Sequence, residues 1–303
     1  MVSLTAFDLH ANLTRFIAAL PPQAGLIFDI GSNTDPLVTS DTAGNPRNMA
    51  TVAFEPIVPH LIGDTSRPIL RRALDTGRLH IIPAAVSSAD GISHMLRMGG
   101  RTGRNFAASS SLLAPAESGA MWSKGAESTP VPVMALSKIL ARTVPRRQPQ
   151  AQRDLVLLKT DLQGHDCEAV ASVAPRALLR RAHYVQMEVA LYGVSSYTGA
   201  RATDECARNQ FCEGVLPLMT SAGFRLLALT TNARTRKQKV LAYSTSSAQE
   251  ACKYPDGKLR SAGLHALNAS LGGKFMLGHH NEANAFFRRN DTHLPKPKVK
   301  DWA

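Results

Sequence analysis

The sequence predicts an α/β fold: a mostly parallel sheet with an antiparallel closing strand and helices on both faces. Three observations predict it. Short apolar runs such as "LIFDI", "TVAFE" and "DLVLLK" alternate with stretches of helical period, the pattern of strand–helix–strand units. A glycine-bearing loop, "DIGSN", leaves the first run, and doubly wound sheets bind ligands beyond the carboxyl ends of their strands. Near the end of the alternation, "FRLLALTT" and "KVLAYST" read as an antiparallel pair.

The elements follow in order. Residues 1–23 predict an amphipathic helix, with Leu4, Phe7, Leu13, Phe16, Ile17 and Leu20 near one face. The first strand spans about 26–30 and the second 51–55. A helix follows through "IVPHLIGDTSRPILRRALDTG", interrupted near Pro68 and closed by Gly77. "LHIIPAAVS" is a third strand, with "GISHMLRM" pairing nearby. Residues 99–130 read as a long Gly-, Ser- and Ala-rich loop, of the kind that forms lids or stays disordered. "VPVMALSKIL" is a strand and helix, and "ARTVPRRQPQAQR" a basic connector. "DLVLLKTDLQGHDCEAVASV" gives a buried strand, a turn at Gly164 and a helix; "HYVQMEVAL" is a further strand. "DECARNQFCEGVLPLMTSAG" reads as one helix ending at Gly223. The domain thus covers 24–248, and 249–303 is a basic carboxyl-terminal extension.

The composition narrows the function classes. The chain of 303 residues is 44% hydrophobic, enough for a sizeable core. No run approaches the roughly 18 apolar residues of a membrane span. The amino terminus lacks the basic start of a secretory signal, which leaves a cytoplasmic or organellar location open. The net charge of +12 attracts anions, yet it sits in loops and tails and no nucleic-acid motif accompanies it. Cys167, Cys206, Cys212 and Cys252 form no CxxC pair, so no zinc site is indicated; a disulfide among the last three and free buried thiols both remain open. His279 and His280 are adjacent in a polar tail and read as a solvated pair, with no metal implied.

The candidate site lies at strand ends. Gly31 lets the backbone turn and approach a ligand, and Asn33 tolerates unusual backbone angles. Glu55 closes the second strand 24 residues after Gly31, where an acid grips the hydroxyls of a ribose. Lys159 and Asp161 alternate at the end of a buried strand and so point to one side. His165, Asp166 and Glu168 open the next helix, where helix-dipole and capping interactions account for the two acids. Glu188 closes another apolar strand.

Four segments in this order, "FDIGSNTDP", "VAFEP", "VPVMALSKIL" and "LLKTDLQGHDCEAV", resemble the FkbM family of S-adenosylmethionine-dependent methyltransferases, with "PAAVSSADG" and "VQMEV" fitting between and after. The resemblance covers about residues 24–245. It implies a class I Rossmann-like methyltransferase that uses S-adenosyl-L-methionine, commonly for O-methylation of sugars or other small metabolites. It places Asp29, Gly31 and Asn33 at the methionine part of the cofactor, Glu55 on the ribose, and Val86 and Ser87 near the adenine. It also places Asp161 by the reacting centre, and Asp161 and His165 are the candidates for a general base or for orienting the acceptor.

The sequence departs from the family pattern in three places. Asp35 stands where the loop has its second glycine, Gln163 replaces a carboxylate, and Ser137 replaces an aspartate. Asp35 before Pro36 suits a helix start, with the aspartate as N-cap. A degenerate methyltransferase serving as a basic RNA- or ribosome-associated scaffold is therefore the alternative. A dinucleotide oxidoreductase ranks last, because the loop lacks GxGxxG.

Overall fold

A computed structural model describes residues 5–21, 24–32, 36–37, 49–57, 68–97, 127–143, 154–191, 206, 209–231, 240–242, 244–253 and 282–292. Thr5 and Asp8 form a reciprocal capping box that starts α1 (Ala6–Ala19). Leu9, Leu13 and Ile17 recur one turn apart on its buried side and join the main core, so α1 is an integral layer of the domain. Phe7, expected on that side, is 79% exposed. Six residues before Leu13, it lies about 120° round the helix from it. Pro21 ends the helix by forcing Leu20 into an extended conformation (φ −68°, ψ 150°).

Five strands pair in parallel with one another: β1 (Gly25–Ile30), β2 (Met49–Phe54), β3 (Leu79–Ile82) and, later in the chain, β7 (Leu155–Thr160) and β8 (Ala182–Ala190). Between them in sequence, β4 (Ala85–Ser87), β5 (Gly91–Arg97) and β6 (Glu127–Ala135) form a separate three-stranded sheet in the order β4-β6-β5. The run "LHIIPAAVS" is therefore two strands, not one; Pro83, which has no N–H to donate to a ladder, lies between them. Residues 127–130, assigned to the long loop by sequence, belong to β6. The rest of that loop, 99–126, lies outside the described residues.

The large sheet is completed by β9 (Phe224–Thr231), β10 (Val240–Ala242) and β11 (Glu282–Arg289), in the order β10-β9-β11-β8-β7-β1-β2-β3. β10 pairs antiparallel with β9, as expected, but it sits at the edge. The strand that pairs with β8 on the side away from β7 is β11, antiparallel to both β8 and β9. The carboxyl-terminal stretch read as an extension thus supplies an interior strand. Its physical basis is clear: Ala283, Ala285 and Phe287 bury one side and Phe286 the other. In a dinucleotide-binding sheet six parallel strands run 3-2-1-4-5-6. Here an antiparallel strand is inserted between the fifth and sixth, which makes the fold class I methyltransferase-like.

Helices cover both faces. α2 (Pro68–Asp75) places Leu70 and Ala73 against Ala53 and Leu79. The opposite face, with Phe28, Ile30 and Val185, packs with α1, α3 (Leu136–Ala141), α4 (Asp166–Ala171), α5 (Leu216–Ser221) and α6 (Thr245–Cys252). The single helix expected over 204–223 is a turn at Cys206, a left-handed Asn209 (φ 54°), a π-helical turn Phe211–Val215 and α5. All four cysteines are paired, Cys167 with Cys206 and Cys212 with Cys252. No helix among the described residues is long and apolar enough to cross a membrane.

Candidate functional site

Parallel strands end together, so the loops after β1, β2, β7 and β8 share one edge of the sheet. β1 delivers Asp29, fully buried in its strand. Its Oδ1 accepts from Lys159 Nζ on β7 at 2.8 Å and its Oδ2 from Leu37 N at 2.7 Å. The second bond folds the loop back onto its own strand. Pro36 and Leu37 are not helical, and the Leu37 N–H is held by Asp29. Asn33 and Asp35 lie outside the described residues.

Gly31 explains how the loop can come so close to its neighbour. Its φ is +74°, and a Cβ there would lie 2.0 Å from the Asp161 carbonyl oxygen. The Gly31 and Ser32 N–H groups both donate to the Phe54 carbonyl, at 3.0 and 3.4 Å, pinning the β1 loop to the end of β2. The Ser32 hydroxyl is buried and has no hydrogen-bond partner among the described residues. Glu55, the next residue after β2, is also buried; its Oε1 accepts from Ile57 N at 2.9 Å, shaping its own turn.

β7 and β8 bring three polar side chains together. Gln163 Nε2 donates to Asp161 Oδ1 at 2.7 Å and to Glu188 Oε2 at 3.2 Å. Gln163 holds a left-handed φ of 52°, and Gly164 follows at φ 94°. Sequence flagged Gln163 only as a lost carboxylate; its position explains the amide, because a third acid there would face two others. Lys159 serves the same cluster. Burial disfavours its charge, but Asp29, Asp161 and Glu188 outweigh burial and raise its pKa.

A second group lies at the start of α4. His165 Nε2 is 2.8 Å from Ser87 Oγ on β4, and its Nδ1 is 3.3 Å from Glu168 Oε2. His165, which could have been a solvated helix-start residue, is buried. Its bond to Ser87 ties the small sheet to α4, so a residue expected near the adenine and a candidate base are in direct contact. Val86 is wholly buried in the core beside them. Asp166 is no ordinary helix-start acid either. It is buried, accepts from Leu162 N at 3.1 Å, and burial together with the charge of Asp161 raises its pKa to about 7.

The structure therefore gathers Asp29, Gly31, Ser32, Glu55, Asp161, Gln163 and Glu188 along one edge, with Ser87 and His165 joined to each other beside it. An acidic edge of this kind suits cationic groups and hydroxyl donors, and the unpartnered Ser32 hydroxyl offers a further polar contact. These donors and acceptors fit S-adenosylmethionine, whose sulfonium and ammonium are cationic and whose ribose carries a diol.

No family profile matches the chain, and no curated protein does. Two similar solved structures come from Burkholderia thailandensis. One is an uncharacterised protein, 14% identical, with 95% of this chain and 81% of that chain covered and a TM-score of 0.28. The other, described as a likely methyltransferase and bound to S-adenosyl-homocysteine, is 14% identical, with 95% and 79% covered and a TM-score of 0.27.

Proposed function

We propose that the protein is an S-adenosylmethionine-dependent methyltransferase that O-methylates a sugar or another small hydroxylated metabolite, as the FkbM family it resembles does. One observation carries the reading: three of the four resemblance segments, dispersed in sequence, converge through β1, β2 and β7 at the carboxyl edge of a sheet with an antiparallel strand inserted next to its fifth parallel strand. The cofactor supplies an electrophilic methyl group; the chain supplies binding, orientation and a base. Asp29 acts by shaping the β1 loop, with Gly31 and Asn33 beside the methionine part. Glu55 takes the ribose, and Val86 and Ser87 border the adenine. Asp161 would take the proton of the acceptor hydroxyl as its oxygen gains the methyl group and S-adenosyl-homocysteine leaves. His165, held by Ser87, stands by the adenine side, which leaves the base to Asp161.

The second reading, a degenerate basic scaffold, is favoured by Asp35 in the loop and by the net charge of +12. Isothermal titration separates the readings. Saturable binding of S-adenosylmethionine, with none of NAD, supports the methyltransferase. A folded protein that binds neither, but binds RNA with a steep loss as salt rises, supports the scaffold.

A further inference from the structure

The two disulfides frame one short stretch. Cys206 and Cys212 are six positions apart, and each is bonded to a different helix, Cys206 to Cys167 of α4 and Cys212 to Cys252 of α6. Between them lies Asn209, buried, in a left-handed conformation at φ 54°. Its side chain works in two directions. Oδ1 accepts from Cys167 N at 3.0 Å, and Nδ2 donates to the Glu188 carbonyl at 2.9 Å. Its backbone works in two more: its carbonyl accepts from Ala190 N at 2.8 Å, and its N–H donates to the Cys206 carbonyl at 2.9 Å. One asparagine thus joins the first turn of α4, which carries His165 and Asp166, to the end of β8, which carries Glu188.

We propose that Asn209, flanked by the disulfides of Cys206 and Cys212, is the positioning residue of a disulfide-anchored clamp that sets the His165 turn against Glu188 and makes ligand binding depend on oxidation of Cys167–Cys206. A left-handed Asn conformation is not held by local preference alone; here both flanks are tethered by covalent bonds. Reduction by a dithiol supplies two electrons and two protons, converts the S–S bond to two thiols and leaves the dithiol as a disulfide. Cys167 is wholly buried, whereas Cys206 is half-buried, so a reductant has less to displace on the Cys206 side. Once Cys167–Cys206 is cut, Cys212–Cys252 still anchors the far flank, but Asn209 is held to α4 only by its hydrogen bond to Cys167 N. The proposal rests on the methyltransferase reading only for what the clamp serves.

The test has two arms. Hydrogen exchange is followed at the amides of Cys167 and Ala190, both bonded to Asn209, in the oxidised protein, in the dithiol-reduced protein and in Cys206→Ser and Asn209→Gly. S-adenosyl-homocysteine affinity is measured on the same four samples. The clamp predicts faster exchange at these two amides in the three altered samples, with the β1 and β7 amides unchanged. It also predicts affinity weakened about tenfold, the loss expected from removing one buried partner. Asn209→Asp keeps the acceptor for Cys167 N but loses the donor to Glu188, and is expected to fall between wild type and Asn209→Gly. Unchanged exchange at Cys167 and Ala190 after reduction overturns the clamp. So does unchanged affinity in Asn209→Gly. If exchange rises but the oxidised wild type binds no S-adenosyl-homocysteine, the clamp stands and the methyltransferase reading fails. Should Cys206→Ser not fold, the reduced protein and Asn209→Gly carry both readouts.

Discussion

Gln163 Nε2 lies 2.7 Å from Asp161 Oδ1, and the same amide nitrogen reaches Glu188 on the neighbouring strand. A neutral donor between two acids lets both remain close. Gln163→Glu replaces that donor with a third carboxylate. The variant is expected to lose about 1–3 kcal/mol of stability, the cost of breaking hydrogen bonds to charged groups in a half-buried place. The loss is expected to be larger at pH 8 than at pH 5, where the added acid more readily shares a proton. Denaturant melts at the two pH values measure it; equal stability to wild type at both contradicts the role given to Gln163.

Gly31 cannot gain a side chain. A Cβ there would meet the Asp161 carbonyl oxygen at 2.0 Å, and its φ of +74° is strained for any other residue. Gly31→Ala is expected to cost at least about 2–3 kcal/mol, as positive-φ strain and the clash add. It is also expected to separate the β1 and β7 loops and so abolish cofactor binding. A variant as stable as wild type would show that the two loops do not meet as described.

Asp166 makes stability depend on pH in an unusual direction. Its pKa of about 7, raised by burial and by Asp161, lies above the value of about 3.8 from which it starts. Between those values the folded state binds the extra proton, so stability falls as pH rises. This contribution is fully present below pH 3.8 and is lost as pH passes 7. Asp166→Asn keeps an oxygen for Leu162 N and removes the titration. Relative to wild type it is expected to gain on the order of 2–4 kcal/mol between pH 5 and pH 8. Parallel pH dependences of the two proteins would show that Asp166 is ionised in the fold.

Thr230 offers a contrast. Its hydroxyl on β9 is buried and has no partner among the described residues. It stands opposite Asn284, which in turn stands opposite Glu188. Thr230→Val fills the same space without an unpaired hydroxyl and is expected to be neutral or to stabilise by up to about 1–2 kcal/mol. Thermal unfolding measures this; a destabilised valine variant would mean that the hydroxyl has a partner.

The strand ends that build the candidate site were legible in the sequence because short motifs follow apolar runs. "FDIGSN", "AFEP" and "KTD" each follow an apolar run, and the parallel pairing of β1, β2 and β7 brings them to one edge. Three features were not legible. β11 hides in a polar, basic tail, because "EANAFFRR" mixes small, aromatic and charged residues. Its place in the sheet comes from pairing partners, which a linear pattern does not reveal. The contact of Ser87 with His165 spans 78 residues and two sheets, so no local spacing announces it. Asn209 sits in a stretch that reads as helix, and its left-handed turn is bonded to Cys167, Glu188 and Ala190, all distant in sequence.

The central claim is that the edge formed by the β1, β2 and β7 loops holds S-adenosylmethionine with its ribose on Glu55. A crystal structure of the protein with S-adenosyl-homocysteine tests it most directly. The predicted result places the ribose hydroxyls within hydrogen-bond distance of the Glu55 carboxylate, the adenine beside Val86 and Ser87, and the sulfur facing Asp161. Ligand bound elsewhere, or a ribose turned away from Glu55, contradicts it.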